Sequence, residues 1–268
     1  MPLERLEDDE LLLILQRLPL KTLRLSVARV SKRMHRLAMS SAALEFRVDL
    51  RYLASGATKG ITKAMDALAK LGADRRLRFV SLGNHQWGSA STRKLLQLVP
   101  LLERLDVSSS KKVAQADFAD FALPHAPNLR ALTWGWAYDV PERAFRNLVR
   151  GRTGLELLDV SNIEGLGEGS HLDAAERRSH CVSDALLHAL AATCPRLKTL
   201  RLSGSLRITD AGIQALAASC HELKIVSLKA QTIFNHGDRN ALYGGVTSAA
   251  HSMFPADVTL SLVGFPKC

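Results

Sequence analysis

Cysteine and histidine are the residues of this chain whose types could support nucleophilic or metal chemistry. Four cysteines, at positions 181, 194, 220 and 268, accompany nine histidines. Cys181 follows His180, but a nucleophilic thiol also needs an orienting third group, and the sequence identifies none. CxxC and HExxH spacings are absent. The sequence therefore predicts no catalytic residue, no metal site and no cofactor.

A glycine-rich stretch at about residues 163–180 is similar to a phosphate loop in composition only. Gly165, Gly167 and Gly169 follow a GxGxG spacing, without a GK[ST] sequence or an apolar helix behind them. We interpret this stretch as a surface insertion, and insertions in repeat proteins often contribute to binding.

A recurring apolar pattern must position whatever binding residues the chain has. An apolar residue is followed by two variable residues, a second apolar residue, one variable residue and a third apolar residue. Successive copies begin 25, 27, 26, 42 and 26 residues apart, at Leu77–Val80–Leu82, Leu102–Leu105–Val107, Leu129–Leu132–Trp134, Leu155–Leu158–Val160, Leu197–Leu200–Leu202 and Leu223–Val226–Leu228. Fainter copies are Val48–Leu50 and Leu260–Leu262. Apolar residues two apart predict short strands with one buried face.

Helical stretches between these strands complete the predicted repeat. They cover Ser91–Val99, Ala114–Leu123, Pro141–Val149, Ser183–Ala192 and Asp210–Ser219, and Ser183 and Thr209 are suitable N-caps. A strand and a helix every 26 residues or so predict an α/β fold, a leucine-rich-repeat solenoid with a parallel sheet inside and helices outside. The predicted solenoid spans residues 46–268, with the insertion at about 163–180.

Residues 194–228 resemble the cysteine-containing class of leucine-rich repeats. The triplet Ile208-Thr209-Asp210 carries this resemblance, together with Cys194 and Cys220, which lie one repeat apart. Equivalent positions in neighbouring repeats stack, so we expect both cysteines to pack as small buried hydrophobic residues.

Residues 1–45 lie outside the repeat and predict a small module of three helices. Acidic residues open the first helix, where they suit the helix dipole, and Pro19 ends it. A short helix from Lys21 to about Ala28 precedes a third, for which Ser31 is the expected N-cap.

This module resembles an F-box. The matching residues are Leu6, Asp9, Leu11, Ile14, Leu15, Leu18, Pro19, Leu23, Val30, Ser31, Lys32 and Arg33. Glu7 stands where the family usually has proline, and Met34 where it usually has tryptophan. An F-box followed by cysteine-type repeats is typical of the F-box/leucine-rich-repeat proteins. The alternative is a helical cap for the solenoid, which repeat arrays also need.

The resemblance implies a non-catalytic substrate receptor of an SCF-type cullin–RING ubiquitin ligase. The F-box would dock on the Skp-type adaptor and, through it, on the cullin–RING core, while the repeats hold a protein substrate. The implied adaptor-binding residues are Leu6, Leu11, Ile14, Leu15, Leu18, Pro19, Leu23 and Val30. A different class remains open, in which the protein is an interaction scaffold without a ligase role.

The expected substrate face is the concave side of the sheet, to which the residues between the repeated apolar positions point. The candidates are Phe79, Arg104, Asp106, Trp136, Leu157, Asp159, Lys198, Arg201, Lys224, Ile225 and Lys229. The apolar members suggest exposed anchors for a protein ligand. The lysines and Arg201 suggest a basic pocket for an acidic or phosphorylated segment, with solvated surface charge as the alternative.

The net charge of +10 is concentrated in the middle of the chain, where residues 51–160 carry 17 Lys/Arg against 10 Asp/Glu. Arg143, Arg146, Arg150 and Arg152 fall on a predicted helix and its end, which indicates a solvated helix surface. Nucleic-acid binding is not predicted, because interleaved aromatic residues are missing. No apolar run is long enough for a membrane span. The few cysteines and the acidic N-terminal segment favour a cytoplasmic or nuclear location.

Overall fold

The computed structural model describes residues 6–15, 27–38, 47–49, 66, 69–70, 77–82, 89–108, 125–135, 142–163, 182–204, 206–230 and 245–263. The α-helices are α1 (Asp8–Leu15), α2 (Lys32–Ala38), α3 (Ser89–Leu98), α4 (Glu142–Val149), α5 (Asp184–Thr193) and α6 (Asp210–Ser219), with 3-10 turns at Val27–Arg29 and Ser248–Met253. The strands are β1 (Arg47–Asp49), β2 (Phe79–Ser81), β3 (Arg104–Asp106), β4 (Ala131–Gly135), β5 (Leu157–Ile163), β6 (Val182–Ser183), β7 (Thr199–Gly204), β8 (Leu206–Arg207), β9 (Ile225–Ala230) and β10 (Thr259–Val263).

Eight of these strands form one sheet whose strand order follows the chain: β1, β2, β3, β4, β5, β7, β9 and β10. Neighbouring strands in it are parallel, and β6 and β8 form a separate two-stranded parallel sheet. The register places the middle apolar residue of each repeat beside its counterpart, in the row Val48, Val80, Leu105, Leu132, Leu158, Leu200, Val226 and Leu260. The predicted α/β fold with a parallel sheet is confirmed.

The core lies between the sheet and the helices that connect its strands. The three apolar positions of each predicted repeat, from Leu77 to Leu228, are at most 2% exposed. Trp134 of β4 is fully buried, and its ring centroid lies 5.5 Å from that of Phe145 in α4. The spacing of apolar residues along the sequence therefore identified the side chains that join the two layers.

A chain of hydrogen bonds links the N-termini of successive helices. Asp184, the first residue of α5, accepts from the backbone amide of Thr209 (2.8 Å) and from its hydroxyl (2.5 Å). Thr209 in turn caps α6, as predicted, by accepting from the amide of Ala211. The same arrangement joins Glu142 to Ser183, the predicted cap of α5, and Asp210 to Thr247.

Gly212 of α6 is required by this linkage. A Cβ atom at that position would collide with Oδ1 of Asp184, and that oxygen is already fixed by the amide of Thr209. Glycine normally weakens a helix interior, so its presence here reflects the close approach of α5 and α6.

Some predicted boundaries differ from those observed. Of the predicted second helix of the N-terminal module, Lys21 to about Ala28, only residues 27 and 28 are among the described residues, and they belong to the 3-10 turn Val27–Arg29. Ile163 belongs to β5 and pairs with Gly204 of β7, so the insertion starts after it. Residues 164–180 and the predicted helix Ala114–Leu123 lie outside the described residues.

Candidate binding surfaces

The N-terminal module is held together by a small apolar cluster of its own. Leu11 and Leu15 lie one turn apart in α1 and are 2% and 1% exposed. They pack with Leu37 and Ala38 of α2. Two short helices thus share one apolar core, against which Leu12 and Met34 also pack.

Arg33 fixes the start of α1 against α2. Its guanidinium donates to the Asp8 carboxylate (2.8 Å) and to the backbone carbonyl of Leu6 (2.7 Å). Arg36 adds a second ion pair to Asp8 at 3.3 Å. Ser31 caps α2 as predicted, because its hydroxyl accepts from the amide of Met34 at 3.1 Å. Ser31 and Arg33, which match the F-box pattern, therefore stabilise the fold of the module itself.

The predicted adaptor-binding residues divide by exposure. Ile14 and Val30 are 42% and 72% exposed, and with Val263 they are the large apolar side chains exposed among the described residues. Leu11 and Leu15 are buried, so the structure places them in the core rather than on a contact surface; Leu6 is half-buried against the same cluster. The other predicted contacts, Leu18, Pro19 and Leu23, lie outside the described residues.

The module accommodates both departures from the F-box pattern. Met34, in place of tryptophan, packs against the cluster formed by α1 and α2. The backbone amide of Glu7, in place of proline, donates to the carboxylate of Glu10 at 3.0 Å, which satisfies a free amide at the start of α1.

The open face of the sheet carries two rows of side chains that alternate with the buried row. One row contains Phe79, Arg104, Ala131, Leu157, Thr199, Ile225 and Thr259. The other contains Ser81, Asp106, Thr133, Asp159, Arg201, Ser227 and Ser261. The structure therefore brings the predicted substrate-face residues of different repeats side by side.

The apolar members of the open face are less exposed than expected. Phe79, Leu157 and Ile225 are half-buried, because neighbouring strands 4.8 Å or so apart cover the sides of each side chain. Trp136 lies outside the described residues. The face offers partly covered apolar surface rather than protruding anchors.

The polar row is internally hydrogen-bonded. Asp106 accepts from the hydroxyl of Ser81 (2.9 Å) and from the amide of Ser108 (2.9 Å). Asp159 pairs with Arg201 at 3.6 Å. Burial raises the pKa of Asp159, whereas the charge of Arg201 lowers it and the nearby Asp106 raises it further.

Most cations of the predicted basic pocket have carboxylate partners. Lys198 contacts Glu156 at 3.0 Å, Arg201 contacts Asp159, and Lys224 contacts Asp257 at 2.5 Å. Lys229 is exposed and has no ion pair among the described residues. Lys198, Arg201 and Lys224 are therefore paired with carboxylates of the chain itself, and the binding of an acidic or phosphorylated segment at these residues stays a prediction.

The repeating cysteine position is buried, as predicted. The Cys220 thiol lies 3.5 Å from the carbonyl of Cys194, and the Cys194 thiol lies 3.8 Å from the carbonyl of Val149. Burial raises the pKa of Cys220 to about 11, so both thiols stay protonated and inert. In the preceding repeat Arg152 takes this position, and its guanidinium donates to the carbonyls of Leu148 and Ala126 at 2.8 Å.

The described residues form neither a cluster of metal ligands nor a membrane-spanning helix. In the ranges that the structure describes, no three His, Cys, Asp or Glu side chains converge as ligands. In the same ranges, no helix has both the length and the apolar character needed to cross a bilayer.

The helical module matches a known domain family. The family model of the F-box domain matches residues 3–43. The chain carries an F-box domain. No curated protein matches the chain. Among solved structures, the chain is similar to one in the crystal structure of the Rad7 and Elc1 complex in yeast, with 16% identity and a TM-score of 0.31. That match covers 80% of this chain, which spans about 63% of the other chain's length.

The open face predicts opposite pH responses for two neutralising substitutions. Because burial raises the pKa of Asp159, its ionised form costs stability, and this cost grows as the pH rises through the raised pKa. The hydrogen bond from Lys198 lowers the pKa of Glu156 from its ordinary value, so its ionised form stabilises the fold, and this stabilisation is lost as the pH falls through the lowered pKa. At about pH 7, Asp159→Asn should raise the melting temperature and Glu156→Gln should lower it.

Thermal unfolding followed by circular dichroism at about pH 7 and pH 4 checks this prediction. Both differences from wild type should shrink at the lower pH, as the carboxylates become protonated. A lower melting temperature for Asp159→Asn at pH 7 would mean that the ion pair with Arg201 outweighs burial.

Proposed function

We propose that this protein is the substrate-receptor subunit of an SCF-type cullin–RING ubiquitin ligase. The F-box at residues 3–43 carries the proposal, since F-box proteins are generally non-catalytic adaptor subunits. Ile14 of α1 and Val30, in the turn before α2, are exposed, while Leu11, Leu15 and Leu37 are buried in a shared core. Exposed apolar side chains on a small module are suited to a protein interface.

The proposed adaptor surface centres on Ile14 and Val30. Leu11 and Leu15 support it from beneath, because they fix the angle between α1 and α2. Leu18, Pro19 and Leu23 remain proposed contacts on the strength of the F-box pattern. In this arrangement a Skp-type adaptor would cover the exposed apolar side chains and link the chain to a cullin–RING core.

The rest of the chain, residues 46–268, is proposed to be a leucine-rich-repeat solenoid of the cysteine-containing class. Strands in chain order, apolar rows in register and the stacked Cys194 and Cys220 support this assignment. Each repeat then adds one strand to an open face, and that face is proposed to bind a protein substrate. Its paired charges suit a ligand of mixed charge.

Such a receptor performs no bond chemistry itself. Holding a substrate near a charged ubiquitin-conjugating enzyme raises the local concentration of its lysines, and this proximity is the catalytic contribution. The protein would act in the cytoplasm or the nucleus, where these ligases work.

Affinity purification of the tagged full chain, followed by mass spectrometry, tests the proposal. An adaptor and a cullin should copurify with wild type, along with candidate substrates. Recovery of substrates without any adaptor or cullin would instead favour the scaffold, in which the sheet binds proteins without a ligase role.

A further inference from the structure

The helix side of the molecule contains a groove between α4 and α5 whose cationic side chains form no ion pair with the part of the chain that the structure describes. Its volume is about 280 Å³, and it is lined by Arg143, Arg146, Asn147, Arg150, Ala185, Ala189 and Thr193. The groove belongs to the helix layer, on the other side of the core from the open face of the sheet. No function described so far uses these residues.

The shape of the groove follows from the small residues of α5. Leu186, Leu187 and Leu190 are buried in the core, which leaves Ala185 and Ala189 towards α4. The hydroxyl of Thr193 lies within hydrogen-bonding distance of the carbonyls of Ala189 (2.7 Å) and Val149 (3.1 Å). The side of the groove that α5 forms therefore consists of small and mainly apolar side chains.

Three arginines form the opposite wall. Arg143 and Arg146 lie in α4, and Arg150 directly follows its last residue. The three are exposed and spaced three and four residues apart, so they line one side of the helix and its C-terminal end over about 10 Å. None of them takes part in an ion pair with the described residues, in contrast to the paired cations of the open face. The carboxylate of Glu142, the residue before Arg143, accepts hydrogen bonds from the amide and hydroxyl of Ser183.

Helix stability does not account for this arrangement. A cation near the C-terminus of a helix is favourable, which suits Arg146 and Arg150. Arg143 lies in the first turn, where the helix dipole disfavours a positive charge. Like charges at these spacings also repel one another. The position of Arg143 and the repulsion among the three arginines therefore oppose folding in the free protein, and an anionic ligand would reduce both effects.

We propose that this groove binds an acidic segment of a partner protein, in which carboxylates or phosphates pair with the three arginines and an apolar side chain contacts the alanines. Arginine forks match both anions in a bidentate manner. A protein segment is favoured over a single-stranded nucleic acid because the lining has no aromatic side chain on which bases could stack. It is favoured over a membrane surface because the large exposed apolar side chains of the described residues, Ile14, Val30 and Val263, lie elsewhere.

Fluorescence anisotropy with the full chain tests this proposal. The probe is a labelled 12-residue peptide of repeated Glu-Glu-Leu, with a Lys-Lys-Leu peptide and a 12-nucleotide DNA strand as alternatives. The acidic peptide should bind, and Arg146→Glu with Arg150→Glu should weaken its affinity at least about tenfold. The control, Lys94→Glu with Lys32→Glu, changes the net charge equally at exposed positions of α3 and α2, outside the groove lining, and should alter affinity less than about twofold.

A second variant tests the groove without changing charge. Ala189→Gln fills the space between α4 and α5 and should weaken peptide binding several-fold, while circular dichroism confirms the wild-type fold. The proposal would be overturned if the two charge variants lost peptide affinity equally, or if Ala189→Gln bound the peptide as tightly as wild type. Tighter binding of DNA than of the acidic peptide would also overturn it. Absence of peptide binding to wild type would overturn it as well.

Discussion

Replacing Ile14 and Val30 together by aspartate is expected to abolish binding of a Skp-type adaptor while leaving the fold intact. Both side chains are exposed, so a charged replacement costs the free protein little. In a complex, each carboxylate would be buried without a partner, which is strongly unfavourable. We expect at least about a 100-fold loss of affinity, measured by isothermal titration calorimetry with the purified adaptor.

A matched control is available at Val263 in β10. This valine is 47% exposed and belongs to the sheet rather than to the F-box. Val263→Asp makes the same kind of change and should leave adaptor affinity unaltered. Wild-type affinity in the Ile14/Val30 variant would show that the adaptor contacts another surface.

Replacing Asp184 by alanine is expected to cause the largest loss of stability at a position outside the apolar core. The carboxylate accepts two hydrogen bonds from Thr209 and joins the N-termini of α5 and α6. Hydrogen bonds to a charged acceptor are stronger than neutral ones, and removal leaves the Thr209 amide without its acceptor. The free energy of unfolding should fall by about 3 kcal/mol, measured by urea denaturation.

Two variants separate this linkage from charge alone. Asp184→Asn keeps the shape and one acceptor oxygen, so its loss should be intermediate. Asp257→Ala removes a carboxylate whose ion pair with Lys224 is well exposed, and its effect should be small. Equal effects of Asp184→Ala and Asp257→Ala would show that the link between α5 and α6 contributes nothing beyond surface charge.

The sheet could be predicted because its determinants are local and repeated. Apolar residues two apart place their side chains on one side of a strand, and repetition at 25 to 27 residues sets the register of neighbours such as Leu105 and Leu132. The caps Ser183 and Thr209 were likewise visible as hydroxyl residues before helical stretches.

The surfaces were less predictable because exposure depends on contacts distant in sequence. Leu11, Ile14 and Leu15 have similar hydrophobicity, and only the packing of α1 on α2 buries two of them and exposes the third. The ion pair between Asp159 and Arg201 depends on strands whose residues are 42 positions apart. The groove between α4 and α5 could not be predicted, because it depends on where α5 packs relative to three arginines that the sequence assigns to a solvated helix surface.

The central claim is that the F-box joins this chain to a ubiquitin ligase, and the most direct test is the mass of the complex with a purified Skp-type adaptor. Size-exclusion chromatography with light scattering measures that mass for an equimolar mixture at about 10 µM. We predict a single species with the mass of one chain plus one adaptor. A folded chain that elutes alone at its own mass of 29.3 kDa would contradict the claim.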